Sequence, residues 1–371
     1  MKYAVVDTVY QGYVNHLYQG TGLHRREWAS QYRATVDGGF PTLSSWSEPL
    51  EAKGHTVLDV WANHMPLQHR WCVENGALDL FADANPPIDA TMEATPEAFL
   101  QPWAQSGFVG ILREQIRRFR PDVLVIGNLF EFDTAFLRSI AGHYGVAIGQ
   151  HAAAIPWGDH SGYQAIISSL PNQVRYFAGL GLDAYEVRLA FDRRLLRHLK
   201  PGSDRFGLIF PGQVTDEHGG RARTLRALAA AMEIDVFSDS AEALGTDTRA
   251  RLHPALWGLE MYQAMRDSRM VFNCHIDAAG EFANNLRLYE ASGSGALLLT
   301  DAKVNMDRIL VPGRECLAFE GPEDAVQLAR HYLTHDDERR SIAEAGTARV
   351  MREHTYHHRV EELIAVAERY L

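Results

Sequence analysis

Twice along this chain, short apolar runs alternate with stretches of helical periodicity, and that alternation restricts the fold to one class. Tyr3–Asp7 (YAVVD), His55–Trp61 (HTVLDVW), Val123–Ile126, Val146–Ile148, Ala165–Ser168 and Tyr185–Leu189 read as strands. Helical spacing predicts helices over Phe108–Phe119, Asp133–Tyr144 and Asn172–Leu180. Strands separated by helices call for parallel pairing through crossovers. The runs lack strict alternation, which fits a sheet covered on both faces.

The turn cluster Pro201-Gly202-Ser203 interrupts the pattern, which then restarts. Gly207–Phe210, Ile234–Phe237, Met270–Asn273 and Ala296–Leu299 read as strands, with helices over Arg221–Met232, Leu256–Met265 and Asn284–Ser292. From Pro322 onward the chain is mainly helical. The expected class is therefore α/β with two doubly wound domains, 1–198 and 205–371, and the last helix is free to pack back on the first. The 371 residues give each domain enough chain for a core of its own. In open α/β folds ligands bind beyond the carboxyl ends of the strands, so the site is expected in a cleft between the two sheets.

A formal net charge of −11 excludes a general nucleic-acid binder and disfavours an anionic membrane surface. Cys72, Cys274 and Cys316 are dispersed and form no CxxC pair, so neither a disulfide framework nor a zinc site is expected. MKYAVVDTVY is too poor in apolar residues for a signal peptide, and no apolar run is long enough to span a bilayer. A cytoplasmic location is expected.

Val271–Asp301 (VFNCHIDAAGEFANNLRLYEASGSGALLLTD) is the most informative stretch. It reads as a strand, a polar loop, a short helix, a turn through Gly293 and Gly295, and a second strand. Asn284 and Asn285 sit where the helix begins, so free N–H groups and the helix dipole face any anion there. Small Ala283 lets the backbone come close, and Arg287 adds positive charge. Glu290 can accept hydrogen bonds from two adjacent hydroxyls, as a ribose offers. The same residues also read as a plain glycine helix cap and a solvated helical glutamate.

Asn285, Arg287, Tyr289, Glu290, Gly293, Gly295, Thr300 and Asp301 resemble the donor-binding signature of the glycosyl transferases group one, and more closely its spore-maturation CgeB-like branch. PGRECLAF and HDDERRSIAEAGTARVMREHTYHHR extend the likeness. EAKGHTVLDVWAN, RPDVLVIGNL, AIGQHAAAIP and IISSLPNQVRYFAGLG carry it more loosely through the first half. The resemblance implies a GT-B fold, two facing Rossmann-like doubly wound domains with a deep interdomain cleft, the first for the acceptor and the second for the donor. It implies transfer of a sugar from a nucleotide diphosphate sugar to a glycan, lipid-linked or small-molecule acceptor. Retention of configuration, no metal and no other cofactor are expected, in a setting of surface polysaccharide assembly.

Carried over residue by residue, the diphosphate falls on Ala283, Asn284, Asn285 and Leu286, and the ribose on Glu290. Arg287 and Arg221 would meet the leaving group, with Gly212 in the strand–loop–helix before Arg221. His275 would touch donor or diphosphate, and Tyr262, in WGLEMY, would cover the base or else pack its helix. His151 would face the donor sugar. Many retaining relatives carry a second glutamate eight positions before the ribose ligand; here that place is Phe282, leaving Glu281 or Asp277 as stand-ins. Gly12, in a loop Thr8–Tyr18 after the first strand, would approach the sugar phosphate. Asp37-Gly38-Gly39, Ser44–Ser47 and the Trp71 region are candidate acceptor contacts. An inverting enzyme would need a base, for which Asp37, Glu131 and His151 are the choices. The rival readings are a sugar-nucleotide epimerase or phosphorylase on the same architecture, and a non-catalytic two-lobed protein that binds nucleotide sugars or has a spore or surface role.

Overall fold

The computed structural model describes residues 1–40, 42, 44–83, 105–214, 219–240, 244–245, 248–275 and 279–371. They form two compact units. The first comprises Met1–Val187 with Val360–Leu371, and the second Arg188–Arg359. The division falls ahead of the Pro201-Gly202-Ser203 turn.

The first unit is built on six parallel strands: β1 (Lys2–Asp7), β2 (Thr56–Trp61), β3 (Val123–Ile126), β4 (Val146–Gln150), β5 (Ala165–Ser168) and β6 (Ala184–Glu186), in the order β2-β1-β3-β4-β5-β6. Its helices are α1 (Gln11–Tyr18), α2 (Trp28–Asp37), α3 (Ser47–Ala52), α4 (Met65–Glu74), α5 (Leu78–Asp83), α6 (Gln105–Phe119), α7 (Thr134–Ser139) and α8 (Pro171–Gly179). The central strands are apolar along most of their length because both faces are covered. Leu124, Ile126 and Ala147 pack under Phe108, Ile111 and Ile116 of α6 on one face. Tyr3, Val125, Ile148 and Ile167 pack on the other against Val360, Leu363 and Val366.

The segment read as a loop, Thr8–Tyr18, is helical from Gln11, so Gly12 lies in the first turn of α1 and not in a loop. Gly12 and Asn15 masked the pattern. The helix is held instead by its tertiary partners: Tyr13 donates to the Thr35 carbonyl at 2.7 Å, and Tyr18 to Gln31 Oε1 at 2.9 Å. Intrinsic propensity is a weak prior against such packing.

The second unit repeats the plan with β7 (Phe206–Pro211), β8 (Ile234–Phe237), β9 (Ala250–His253), β10 (Ser268–Phe272), β11 (Leu297–Asp301) and β12 (Leu317–Phe319), in the order β12-β11-β10-β7-β8-β9, all parallel. Its helices are α9 (Gly219–Ala231), α10 (Gly258–Arg266), α11 (Leu286–Ser294), α12 (Pro322–Thr334) and α13 (Asp336–Glu353), and α14 (Tyr356–Ala367) follows them. The edge strands β9 and β12 escape a periodicity reading. β12 has three residues, and β9 has two exposed residues between two half-buried ones and no buried position. Gly295 ends α11 with φ +97°, a left-handed cap that glycine adopts without penalty. Gly293 serves packing: a Cβ there would lie 2.5 Å from the Phe191 ring.

Candidate functional site

In the second unit β7, β10 and β11 lie side by side, so the loops leaving their carboxyl ends are neighbours. The polar residues that end β10 and β11 clasp one another. Asn273 Nδ2 donates to Thr300 Oγ1 at 2.9 Å. The His275 N–H and Nδ1 both reach Asp301 Oδ1, at 2.9 and 2.6 Å. Lys303 Nζ lies 3.3 Å from Asp301 Oδ2 and donates to the Gly280 carbonyl at 2.6 Å. Burial alone would raise the Asp301 carboxyl, but the His275 hydrogen bond and charge, with Lys303, pull it down to about 2. The His275 side chain is wholly buried, and its Nε2 has no hydrogen-bond partner among the described residues. With Nδ1 committed to a carboxylate, the imidazole is fixed in orientation and its second nitrogen is left over.

The loop before α11 differs from the expected diphosphate cradle. The Ala283 N–H is taken by Asn305 Oδ1 at 2.6 Å, and Asn305 Nδ2 donates back to the Ala283 carbonyl. Ala283 is thus a buried tether with no free N–H for a phosphate. Asn285 is the N-cap, its Oδ1 accepting the Arg287 N–H at 2.9 Å. The Leu286 N–H, the first of the helix, has no partner among the described residues. Asn284 is half-buried beside it. Glu281 is exposed, and its carbonyl accepts the Val304 N–H at 3.0 Å. Asp277 lies outside the described residues.

Beneath this mouth sits a buried polar triad. Glu290 accepts from the Tyr262 hydroxyl at 2.9 Å through Oε1 and pairs with Arg287 Nη1 at 2.8 Å through Oε2. Arg287 Nη2 donates to the Pro211 carbonyl at 2.9 Å, and Nη1 rests against the sulfurs of Met261 and Met265 at 3.2 Å. Arg287 therefore links the end of β7 to α11. Tyr262 is buried against Phe191, so it packs its helix and does not cover a base. Burial, with the Glu290 charge, pushes its hydroxyl well above the usual range. Arg221 is also drawn inward. Nη2 and Nε hold the Cys274 carbonyl at 2.9 and 3.3 Å, and Nη1 holds that of Gln213 at 3.0 Å. It fastens the loop after β7 to the loop after β10. Gly212 lies in the first of these loops, its N–H on the Phe237 carbonyl, where a Cβ would press on the Phe210 ring.

The first unit places His151 directly after β4, buried, with Nε2 2.6 Å from the Ala154 carbonyl. Burial lowers its pKa, so the ring is held neutral near pH 7. Sequence reasoning passed over Asp7, which ends β1 at the same edge; the one available signal was an acid closing the apolar run YAVVD. Its Oδ1 accepts the Thr8 N–H at 2.7 Å, and burial pushes the carboxyl up to about 6. A folded value above the ordinary 3.8 means stability fully present below pH 3.8 and lost as pH rises through 6. At neutral pH the ionised group costs about 3 kcal/mol. Asp7→Asn is therefore expected to raise the melting temperature at pH 7.5 and to change it little at pH 4. An equal shift at both pH values would contradict this account.

Among the described residues, His331, His335 and Glu338 could together offer three metal ligands. They are exposed at the α12–α13 junction. Because α12 leaves the strand ends at Pro322 and runs back along the sheet, they lie at its far end. No helix among the described residues is long and apolar enough to cross a membrane.

No curated protein sequence matches the chain. Residues 221–365, which hold the α11 mouth and the buried triad, match a family described as glycosyl transferase-like. Among solved structures, the sucrose-phosphate synthase of Thermosynechococcus elongatus aligns over 100% of this chain and 99% of its own, at 11% identity and a TM-score of 0.58. HepE of Anabaena, solved with UDP-glucose, aligns over 99% and 100%, at 10% identity and 0.58. A putative UDP-N-acetylglucosamine 2-epimerase of Listeria monocytogenes aligns over 98% and 95%, at 12% identity and 0.50. Identities this low speak for the fold and not for the reaction. The chain has the GT-B fold, and the segment that carries its candidate site is glycosyl transferase-like in sequence.

Proposed function

We propose that the chain transfers a sugar from a nucleotide diphosphate sugar to an acceptor, with the donor held on the second unit. The observation that carries this reading is the coincidence of the glycosyl transferase-like match with a helix mouth set on a buried, charge-paired floor. Negative charge grows on the leaving diphosphate during transfer. Fixed donors lower the barrier where that charge develops. The Leu286 N–H and the dipole of α11 supply such a field, with the Arg287 cation behind them. Glu290 accepts the ribose hydroxyls on the lone pairs that Tyr262 and Arg287 leave, since a carboxylate offers about four acceptor directions. The Asp301-anchored imidazole of His275 presents Nε2 to the donor. Arg221 and Ala283 act by holding the loops in place. His151 and the exposed Glu281 are the groups proposed for the sugar side. Retention and independence of metal belong to the same proposal, as does a glycan or other hydroxyl-bearing acceptor.

UDP-glucose is the first probe, because one protein of this fold was solved with it. A ligand present at about 100 times its Kd stabilises a fold by about 2.7 kcal/mol, a clear rise in melting temperature. A panel of UDP-, GDP-, ADP- and dTDP-sugars is expected to contain at least one that raises it, and to yield nucleoside diphosphate with that donor. Binding without release of diphosphate would favour the non-catalytic reading. A product that keeps its nucleotide but changes its sugar would favour an epimerase. No response to any donor would end the proposal.

A further inference from the structure

The first unit contains a cavity of about 320 Å³ beside β2, the outermost strand of its sheet. Its wall runs from Leu58 to Trp61, the last residue of β2, and extends down beside α4. α4 leaves the carboxyl end of β2 and runs back along the sheet, so Trp71 and Glu74 lie roughly 9–14 Å down its length. Trp28, Trp61 and Trp71 line the cavity with apolar ring surface, and Asp59, Gln68 and Gln115 supply its buried polar groups. Trp28, Tyr32 and Trp61 form a continuous stack, with ring centroids 5.0 and 5.4 Å apart. Arg118 sits over Trp71 at 5.3 Å.

The hydrogen bonds in the wall run in one direction only. The Trp61 carbonyl can only accept, and it takes Gln68 Nε2 at 3.1 Å. Gln68 must then present Oε1 to Gln115, whose Nε2 donates to it at 2.8 Å. That order fixes both amides and leaves Gln115 Oε1, buried and without a partner among the described residues, as an acceptor in the cavity wall. A buried acceptor left unfilled loses its hydration with nothing in return, so such groups are normally satisfied by a ligand or water. Asp59 accepts from Ser47 Oγ at 2.6 Å through both oxygens and from Tyr32 at 2.8 Å, which holds a carboxylate in the cavity wall. Glu74, at the exposed mouth, adds another carboxylate.

Flat apolar walls with buried acceptors and flanking carboxylates suit a ligand that is apolar on its ring faces and rich in hydroxyl donors around its rim. The carboxylates disfavour a phosphate. A nucleobase would bring its own carbonyl acceptors against Gln115 and Asp59. We infer that this cavity is a saccharide-binding site for a single pyranose unit, separate from the strand-end site of the second unit. The volume stands at the lower end of the range for small-ligand pockets, which fits one sugar ring and not a nucleotide. The inference does not depend on the donor reading, because it rests on residues of the first unit alone.

The test uses the full chain, with tryptophan fluorescence and saturation-transfer NMR as readouts. The probes are the methyl glycosides of glucose, galactose, mannose and N-acetylglucosamine, with cellobiose and maltose. At least one is expected to shift the emission saturably. Gln115→Leu and Trp28→Ala should each weaken that binding about tenfold or more, the loss of one hydrogen bond or one stacking wall. The melting response to UDP-glucose should be the same in both variants as in the wild type. If Gln115→Leu does not fold, Trp28→Ala, at the half-buried rim, decides alone. Silence of the wild type toward every sugar would overturn the inference. So would sugar binding indifferent to the variants, or adenosine or uridine binding at these tryptophans in preference to any sugar.

Discussion

Glu290→Gln is expected to weaken nucleotide-sugar binding by about 10- to 100-fold, and Glu290→Ala to destabilise the second unit by about 3–5 kcal/mol. The two substitutions separate what the residue does for a ligand from what it does for the fold. Glutamine keeps an acceptor for the Tyr262 hydroxyl but removes the charge that faces Arg287 and half the acceptor capacity open to a ribose. Alanine removes everything. It strands the Arg287 cation in a mostly buried place and leaves the Tyr262 hydroxyl without its partner. A helical glutamate read from sequence invites the view that alanine would spare the fold; its burial makes that the less informative variant. Calorimetric titration with UDP-glucose and urea unfolding check the pair. Undiminished affinity in a folded Glu290→Gln protein would remove Glu290 from the ligand site.

Gly346→Ala is expected to destabilise the second unit by about 2 kcal/mol, against the ordinary rule for helices. Within a helix, alanine is favoured over glycine by about 1 kcal/mol. Gly346 lies inside α13, yet a Cβ there would overlap the carbonyl oxygen of Glu315. That oxygen is backbone and cannot swing aside, so α13 itself must shift, and overpacking of this kind costs about 1–3 kcal/mol or more. The neighbouring contact is sacrificed too: Thr347 Oγ1 donates to the Ser292 carbonyl at 2.8 Å, in the last turn of α11. The change should therefore loosen the very helix whose amino end forms the candidate donor mouth. Urea unfolding of the second unit gives the sign directly; a stabilised variant would show that α13 moves freely.

The sheets were legible because their chemistry is local. VLVI is apolar throughout, AIIS and IDVF each carry a single polar residue, and the strands at Val123–Ile126, Ala165–Ser168 and Ile234–Phe237 have those bounds. The edge strands β9 and β12 and the helix Gln11–Tyr18 were not legible, since their stability comes from partners distant in sequence. The candidate site divides the same way. The cap at Asn285 and the left-handed Gly295 follow from residue type and spacing. That Ala283 is tied to Asn305, or that Arg221 grips two loop carbonyls, depends on contacts across 22 and 53 residues that no local pattern displays. Tyr262 shows the opposite hazard: an aromatic suited to a base by position is claimed by the core.

The helix α14 gives the first unit a dependence on synthesis order. Val360, Leu363, Val366 and Ala367 fill the face formed by Tyr3, Val125, Ile148 and Ile167. On the ribosome, the amino-terminal sheet is made first but lacks that cover until the whole second unit has been translated. During that interval the nascent chain carries an exposed apolar surface of the kind chaperones bind, while the second unit, continuous in sequence, has all it needs to close. The part of the protein that is synthesised first is thus the part that finishes folding last.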